Sequence, residues 1–315
     1  MRILGAIPGV SILLLAVACS GGGGGPTGPI VNPPITTPGD YELLVASSGG
    51  IRGYSLHVPG GWNGSSALPV LLVFHGVPRG NMRAVTGFDA IADHRGFAVV
   101  YPESRDQDWA VGCTACTTAA RAGIDDVRFV EDLLDDLAGT LPIDTRRVWA
   151  AGFSQGAFMT HFLACQIPDR IAVFASVAAT MIEQVVIGCE PSRQVPWLFV
   201  HGSEDDVLPA GGQQGAFANT ISIQTTTSIW ADFDGCDEAP AVTDLPDGGD
   251  GERTVVRLHD WSACAAGIDV QWYEVVGGGH VWPGSPIAFD PGFGAQSPDL
   301  VTSQAIADFV ARFSL

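Results

Sequence analysis

Gly152-Phe153-Ser154-Gln155-Gly156 stands between an apolar run, "RRVWAA", and a helix-like one, "QGAFMTHFLAC". One serine between two glycines, at the point where a strand-like segment becomes a helical one, fits the pattern G-x-S-x-G. The pattern asks for a strand feeding a helix through one sharp turn. Bulky residues in place of either glycine would collide with the adjoining strand and helix. The turn exposes the hydroxyl and sets it near a helix N-terminus, where unpaired backbone N–H groups favour developing negative charge.

The rest of the chain agrees with that demand. "LPVLLVFHG" and "GFAVVYPE" are continuous apolar runs, as in strands buried on both faces. "GYSLHVP" alternates like a half-buried strand. "RIAVFASVAA", "VPWLFVHG" and "VQWYEVVGG" read as further strands. Between them, "DDVRFVEDLLDDLAG" places Val127, Val130, Leu133, Leu134 and Leu137 at helical spacing. "DLVTSQAIADFVARF" predicts a closing helix, with Asp299 as N-cap and Val301, Ile306, Phe309 and Val310 on one face. Strands alternating with helices imply an α/β fold with a mostly parallel central sheet and helices on both faces. Such sheets carry their sites beyond the carboxyl ends of the strands. His75-Gly76, Ser154, His201 to Asp206 and His280 all fall there.

The N-terminal end is of another kind. Residues 1–19 combine Arg2, a short apolar stretch and small residues before Cys19, as in a secretory signal too short to span a bilayer permanently. Leu15-Ala16-Val17-Ala18-Cys19 resembles a bacterial lipobox, which would make Cys19 the lipidated residue. Residues 20–40, rich in glycine and proline, read as a flexible tether. The domain proper is expected over 41–315, exported and either secreted or held in the cell envelope. The net charge is −19, and all 15 cationic residues are arginine. That acidity argues against nucleic-acid binding, which rests on neutralising phosphates. It also disfavours electrostatic docking to anionic membranes, leaving a lipid on Cys19 as the expected membrane link. A monomer is expected.

Past Cys19 there are six cysteines, which allow fifteen pairings by counting alone. In an exported protein disulfides are expected. Cys113 and Cys116 form a C-x-x-C in a loop-like stretch, with no second pair or nearby histidines to complete a zinc site. A structural bridge is the expectation. "DFDGCDE" alternates carboxylates in a way that suits calcium, yet the rest of a calcium-binding loop is missing. The acidic segment from Ala231 to Glu252 is expected to be a solvated excursion pinned by Cys236, with no required metal and no cofactor.

A serine hydroxyl is a weak nucleophile near neutral pH and needs a base, which in turn needs an orienting acid. In this arrangement acid and then histidine follow the serine in chain order. Asp205 lies just past the "VPWLFV" strand, with Asp206 adjacent; Asp205 is preferred, and paired acids at turns also serve as caps. His280 in "GGGHVWPG" follows the last strand, behind glycines that let the loop turn sharply. His75 and His201 sit at strand ends, where they serve neighbouring loops. His57, His94, His161 and His259 read as surface or packing residues. An oxyanion would need two N–H donors: Gln155, next after the serine, and Val77, since Pro78 has none.

With those motifs in order, the chain resembles the secreted polyhydroxybutyrate-depolymerase and feruloyl-esterase-like branch of the α/β-hydrolases from about residue 41 onward. The resemblance rests on "LLVFHG", "GIDDVRFVEDLLDDL", "IDTRRVWAAGFSQGAFMTHFLAC", "VPWLFVHGSEDDVLP" and "GGGHVWPG". It implies an α/β-hydrolase fold, serine esterase activity on small or polymeric esters, and Ser154, Asp205 and His280 as the triad. It also implies the pairs Cys165–Cys189 and Cys236–Cys264. Ala157 after the serine motif, Ser285 after "WPG" and the loop "HGVPRGN" depart from the branch's usual pattern. Trp282 and Trp109 are candidates to line the acyl or alcohol pocket, or else to pack beneath the loops. Two rival functions remain: peptide hydrolysis by the same triad, and ligand binding on a hydrolase scaffold.

Overall fold

The segment "LPVLLVF" forms a strand buried along its whole length, Leu68–Phe74. Val70, Leu72 and Phe74 face one core and Leu71 and Val73 the other, the two-residue period of a strand covered on both sides. Around it the computed structural model, which describes residues 30–47, 50–105, 107–215, 218–237, 239–248 and 254–315, builds one sheet of ten strands. The strands are β1 Gly39–Ser47, β2 Gly50–Val58, β3 Leu68–Phe74, β4 Ala98–Pro102, β5 Ile143–Phe153, β6 Val173–Val177, β7 Trp197–Gly202, β8 Ala241–Asp244, β9 Val255–Trp261 and β10 Val270–Val276. Their order is β1-β2-β4-β3-β5-β6-β7-β10-β9-β8. The central run from β4 to β10 is parallel. Antiparallel pairs close both flanks.

The helices are α1 Met82–Thr86, α2 Phe88–Arg95, α3 Thr118–Arg121, α4 Asp126–Thr140, α5 Gln155–Gln166, α6 Glu183–Ile187, α7 Ile223–Phe233 and α8 Thr302–Val310. Helices α4, α5 and α7 cover one face through Phe129, Leu133, Leu137, Phe158, Leu163 and Trp230. Helices α2 and α8 cover the other through Phe88, Ala92, Ile306, Phe309 and Val310. From β3 the chain crosses to β4 on one side and returns to β5 on the other. The carboxyl ends of β3 and β5 thus flank a topological switch point, where such sheets open a crevice.

Three expectations need correction. The tether ends before residue 40: Ile35 is buried and its N–H bonds Thr140 O, while Asn32 Nδ2 donates to Leu44 O and Asp136 Oδ2. Those contacts dock the segment onto α4 and β1, and β1 itself starts at Gly39. Asp299 does not cap α8, because the helix begins only at Thr302 and the Asp299 carboxylate accepts Gly248 N–H instead. Val301, just ahead of that first turn, is exposed rather than part of the buried face. Within the acidic segment, Ala241–Asp244 forms the exposed edge strand β8 paired to β9.

The disulfides Cys113–Cys116, Cys165–Cys189 and Cys236–Cys264 are all formed. The expected signal segment, with Cys19, lies outside the described residues.

Candidate active site

The turn between β5 and α5 holds Ser154 at φ 56° and ψ −120°, a backbone region that side chains other than glycine rarely occupy. Holding a residue there costs on the order of 1–3 kcal/mol. Ser154 N–H bonds Val177 O on the neighbouring strand, and Ser154 O accepts from Ala157 and Phe158. A Cβ on Gly152 would fall 2.1 Å from Gly156 O, and one on Gly156 would fall 2.2 Å from Phe74 O. Both glycines are therefore required by backbone contact, as the motif's spacing demanded.

His280 reaches the serine from the loop after β10. Its Nε2 lies 2.9 Å from Ser154 Oγ, and its Nδ1 lies 2.8 Å from Asp205 Oδ2. Asp205 Oδ1 accepts Val207 N–H and Leu208 N–H. All three side chains are largely withdrawn from solvent, Ser154 being 9% exposed. The neighbouring Asp206 is exposed and outside this chain of contacts. The loops after β7 and β10 are stitched together: Ser203 N–H bonds Val275 O, Glu204 N–H bonds Gly278 O, and Gly277 N–H bonds Ser203 Oγ. A Cβ on Gly202 would sit 2.3 Å from Gly278 O, so the two loops touch backbone to backbone.

The loop after β3 closes the other side. A Cβ on Gly76 would lie 3.0 Å from Ser154 Cβ, so the backbone leading into Val77 runs directly beside the serine. Val77 itself is half exposed. Gln155 is the first residue of α5, and its N–H therefore has no acceptor within the helix. Its side chain is engaged elsewhere, with Oε1 accepting Trp109 N–H at 2.8 Å.

Neither tryptophan is open to a ligand. Trp282 is 0% exposed, donates its indole N–H to Ser303 Oγ, and packs edge-on against Phe88 and Phe153. Trp109 is equally buried; it donates Nε1–H to His75 O and lies against Phe74 and His75. The pocket-lining option for both gives way to packing beneath the loops. Trp109 is fixed from below as well, because Ala110 N–H bonds Asp126 Oδ2 and the other Asp126 oxygen pairs with Arg52 at 2.7 Å.

His75 and His201 serve as loop supports. His75 Nδ1 donates to Gly76 O, leaving Nε2 to accept Ser104 N–H. Burial lowers its pKa from the ordinary 6.5 to about 4, so it is neutral. His201 donates from Nε2 to Leu208 O and stands 3.8 Å from Asp205 Oδ2. Burial, too, pulls its pKa down, against the opposing pull of Asp205.

Sequence reasoning missed the rings beside the histidine. Phe153, inside the motif itself, lies 5.2 Å from the His280 ring, and Phe293 lies 6.2 Å from it. Phe289 packs against Phe153. Phe289 and Phe293 stand in a glycine- and proline-rich run with no periodic signal; backbone pairing of His280 N–H with Phe293 O and of Gly279 N–H with Ala295 O brings the run in. Among the described residues, Asp40, His57 and Asp89 are the group whose donor atoms lie close enough for a metal. Arg83 already pairs with both carboxylates there.

Comparison with known proteins follows the same lines. The family model "Esterase PHB depolymerase" matches residues 52–207. The protein named "Putative esterase NocK" of Nocardia uniformis subsp. tsuyamanensis is 30% identical over 90% of this chain and 86% of its own. The bifunctional acetylxylan esterase/xylanase XynS20E of Neocallimastix patriciarum is 28% identical over 84% of this chain, which spans only 34% of that longer protein. The acetyl xylan esterase of Aspergillus awamori superposes with a TM-score of 0.51 at 16% identity, over 73% of this chain and 89% of its own. The chain thus belongs to the Esterase PHB depolymerase family and is an esterase of α/β-hydrolase fold.

Proposed function

We propose that the protein hydrolyses carboxylic esters by a serine mechanism, with Ser154 as nucleophile, His280 as base and acid, and Asp205 as the orienting group. The observation that carries this is the unbroken line of contacts from Ser154 Oγ through both His280 nitrogens to Asp205. Ser154 Oγ bonds the ester carbonyl carbon while its proton passes to His280 Nε2. The N–H groups of Gln155 and Val77 receive the oxyanion. The C–O bond to the alcohol then breaks, and His280 returns the proton to the departing oxygen. Water repeats the sequence on the acyl-enzyme and releases the acid.

Substrates in this reading are feruloyl or acetyl esters of polysaccharides, polyhydroxyalkanoates, or aromatic polyesters. Export with a lipid on Cys19 belongs to the same proposal, and the three disulfides suit an oxidising compartment. Loss of fatty-acid labelling in Cys19→Ala tests the anchor. For the reaction, Ser154→Ala is expected to lower kcat on a p-nitrophenyl ester by about 10⁵–10⁶-fold, and to abolish fluorophosphonate labelling, without lowering the melting temperature. Turnover at the wild-type rate would refute the assignment. Parallel aminoacyl amides test the peptidase alternative, which amide-only turnover would favour.

A further inference from the structure

The rings around His280 are not used by any step of the proposed reaction. Phe153 is tilted by 39° to the imidazole and Phe293 by 43°. Phe289 meets Phe153 edge-on at 5.7 Å. Phe153 and Phe289 are half-buried, and Phe293 is 43% exposed. The wall is held firmly. His280 N–H bonds Phe293 O at 2.7 Å, and Gly279 N–H bonds Ala295 O at 3.0 Å. Ser285 Oγ ties the start of the same segment to Val85 O, and Gln296 Nε2 ties its end to Trp282 O. Phe153 is anchored from within the serine motif and rests on buried Trp282.

Chemistry decides which half of an ester meets this wall. His280 must hand its proton to the departing alkoxide, so the alcohol half passes over the imidazole and its neighbours. We infer that Phe153, Phe289 and Phe293 form an alcohol-side subsite, selective for alcohols that present a flat apolar face, whether an aryl ring or the C–H face of a pyranose. Ring faces gain from aromatic contact beyond simple area burial, and that gain raises the rate where it is realised in the transition state. The inference rests on the serine-hydrolase reading and adds to it the half of the ester that the enzyme discriminates.

The test keeps the acid constant and varies the alcohol. Values of kcat/KM are measured for methyl acetate, benzyl acetate and a mono-O-acetylated methyl pyranoside; methanol and benzyl alcohol are of similar acidity. In Phe293→Ala the ring-to-methyl ratio is expected to fall about 3–10-fold, and in Phe293→Leu, which keeps bulk without a ring, by less. The side-chain change leaves the backbone bond to His280 in place, and a melting curve reports folding. Phe289→Ala is the second variant. A fall in the benzyl arm alone assigns the wall to aryl alcohols and a fall in the pyranoside arm alone to sugars; either supports the subsite. The ratio of methyl phenylacetate to methyl acetate, which varies the acid, is expected to hold steady.

A change in that acyl ratio instead would overturn the inference by moving the wall to the acid half. Alcohol ratios that stay within about twofold in both variants, with Ser154-dependent turnover intact, would overturn it and leave the reaction assignment standing. Absence of Ser154-dependent turnover on every ester would overturn both.

Discussion

His280 Nδ1 lies 2.8 Å from Asp205 Oδ2, while the other oxygen of that carboxylate accepts Val207 N–H at 2.9 Å and Leu208 N–H at 2.8 Å. The carboxylate is fixed on both oxygens. Oδ2, which can only accept, favours the Nδ1–H tautomer, which leaves Nε2 free to accept from Ser154. Asparagine at this position would keep the shape and the two backbone bonds but turn an N–H toward Nδ1, favouring the wrong tautomer. Asp205→Asn is expected to lower kcat on p-nitrophenyl acetate by about 10³–10⁴-fold with little change in melting temperature. Asp206→Asn, on an exposed side chain, is expected to stay within about twofold. Equal losses in the two variants would remove Asp205 from the role.

How far this was legible in the sequence follows from what each signal measures. The central strands and α5 could be read as apolar runs because they are buried almost all round, and α4 because burial of one face imposes a helical period. Helix α7 could not: "IQTTTSIWADF" hides its apolar face behind threonines, and Thr226 is buried because its hydroxyl accepts Met181 N–H. Strand β9 was unread because "VVRLHDW" carries charged and imidazole groups that pair with the strands on either side, as His259 does with Glu274 of β10 and Arg257 with Asp244 of β8. The serine motif, the acid and the histidine, which the structure brings into contact, could be singled out because the proposed chemistry restricts residue type and chain order. The two tryptophans were left between two readings because an indole near a loop at a strand end has the same sequence signature whether it faces a ligand or supports the loop.

Trp282 separates those cases experimentally. Its N–H bonds Ser303 Oγ, whose hydroxyl in turn donates to Thr86 O, so the ring ties the histidine loop to α8 and α1. Trp282→Ala is expected to destabilise the fold by roughly 3–5 kcal/mol in urea unfolding. Trp282→Phe, which keeps most of the volume, is expected to cost less and to leave the order of preference among esters intact. Undiminished stability together with a reordered preference would return the indole to the substrate pocket.

Acid sensitivity is expected from the buried histidines. Burial lowers His75 to about 4 and His161 to about 3, and it lowers His201 as well, all from an ordinary 6.5. Between about pH 4 and about pH 6.5 the unfolded chain binds protons that the folded chain refuses. The stability these histidines contribute is therefore complete above about pH 6.5 and is lost as the pH falls toward their lowered values. His161 is stacked on Trp197 and accepts Trp230 Nε1–H, a bond that glutamine can still accept. His161→Gln is expected to reduce the slope of unfolding free energy against pH by nearly one proton, about 1.4 kcal/mol per pH unit. Urea titrations at about pH 5 and about pH 7 measure it, and an unchanged slope would show that His161 does not contribute.

Asp234 has the opposite sign. It lies in the segment whose carboxylates hinted at calcium, yet its side chain is buried and Oδ1 accepts Val195 N–H, while Oδ2 has no partner. Burial pushes its pKa up from 3.8 to about 7, against the opposing pull of the Val195 N–H and Arg193. Between about pH 4 and about pH 7 the folded chain holds a proton that the unfolded chain has released, so stability declines as pH rises through that window and is level above it. Asparagine removes the titration, keeps the acceptor for Val195 and replaces the unpaired oxygen with an uncharged amide. Asp234→Asn is thus expected to gain on the wild type as pH rises from about 5 to about 8, by on the order of 1–4 kcal/mol. Unfolding curves at both pH values test this, and a variant that loses ground at the higher pH would mean that the ionised carboxylate has a stabilising partner in the folded protein.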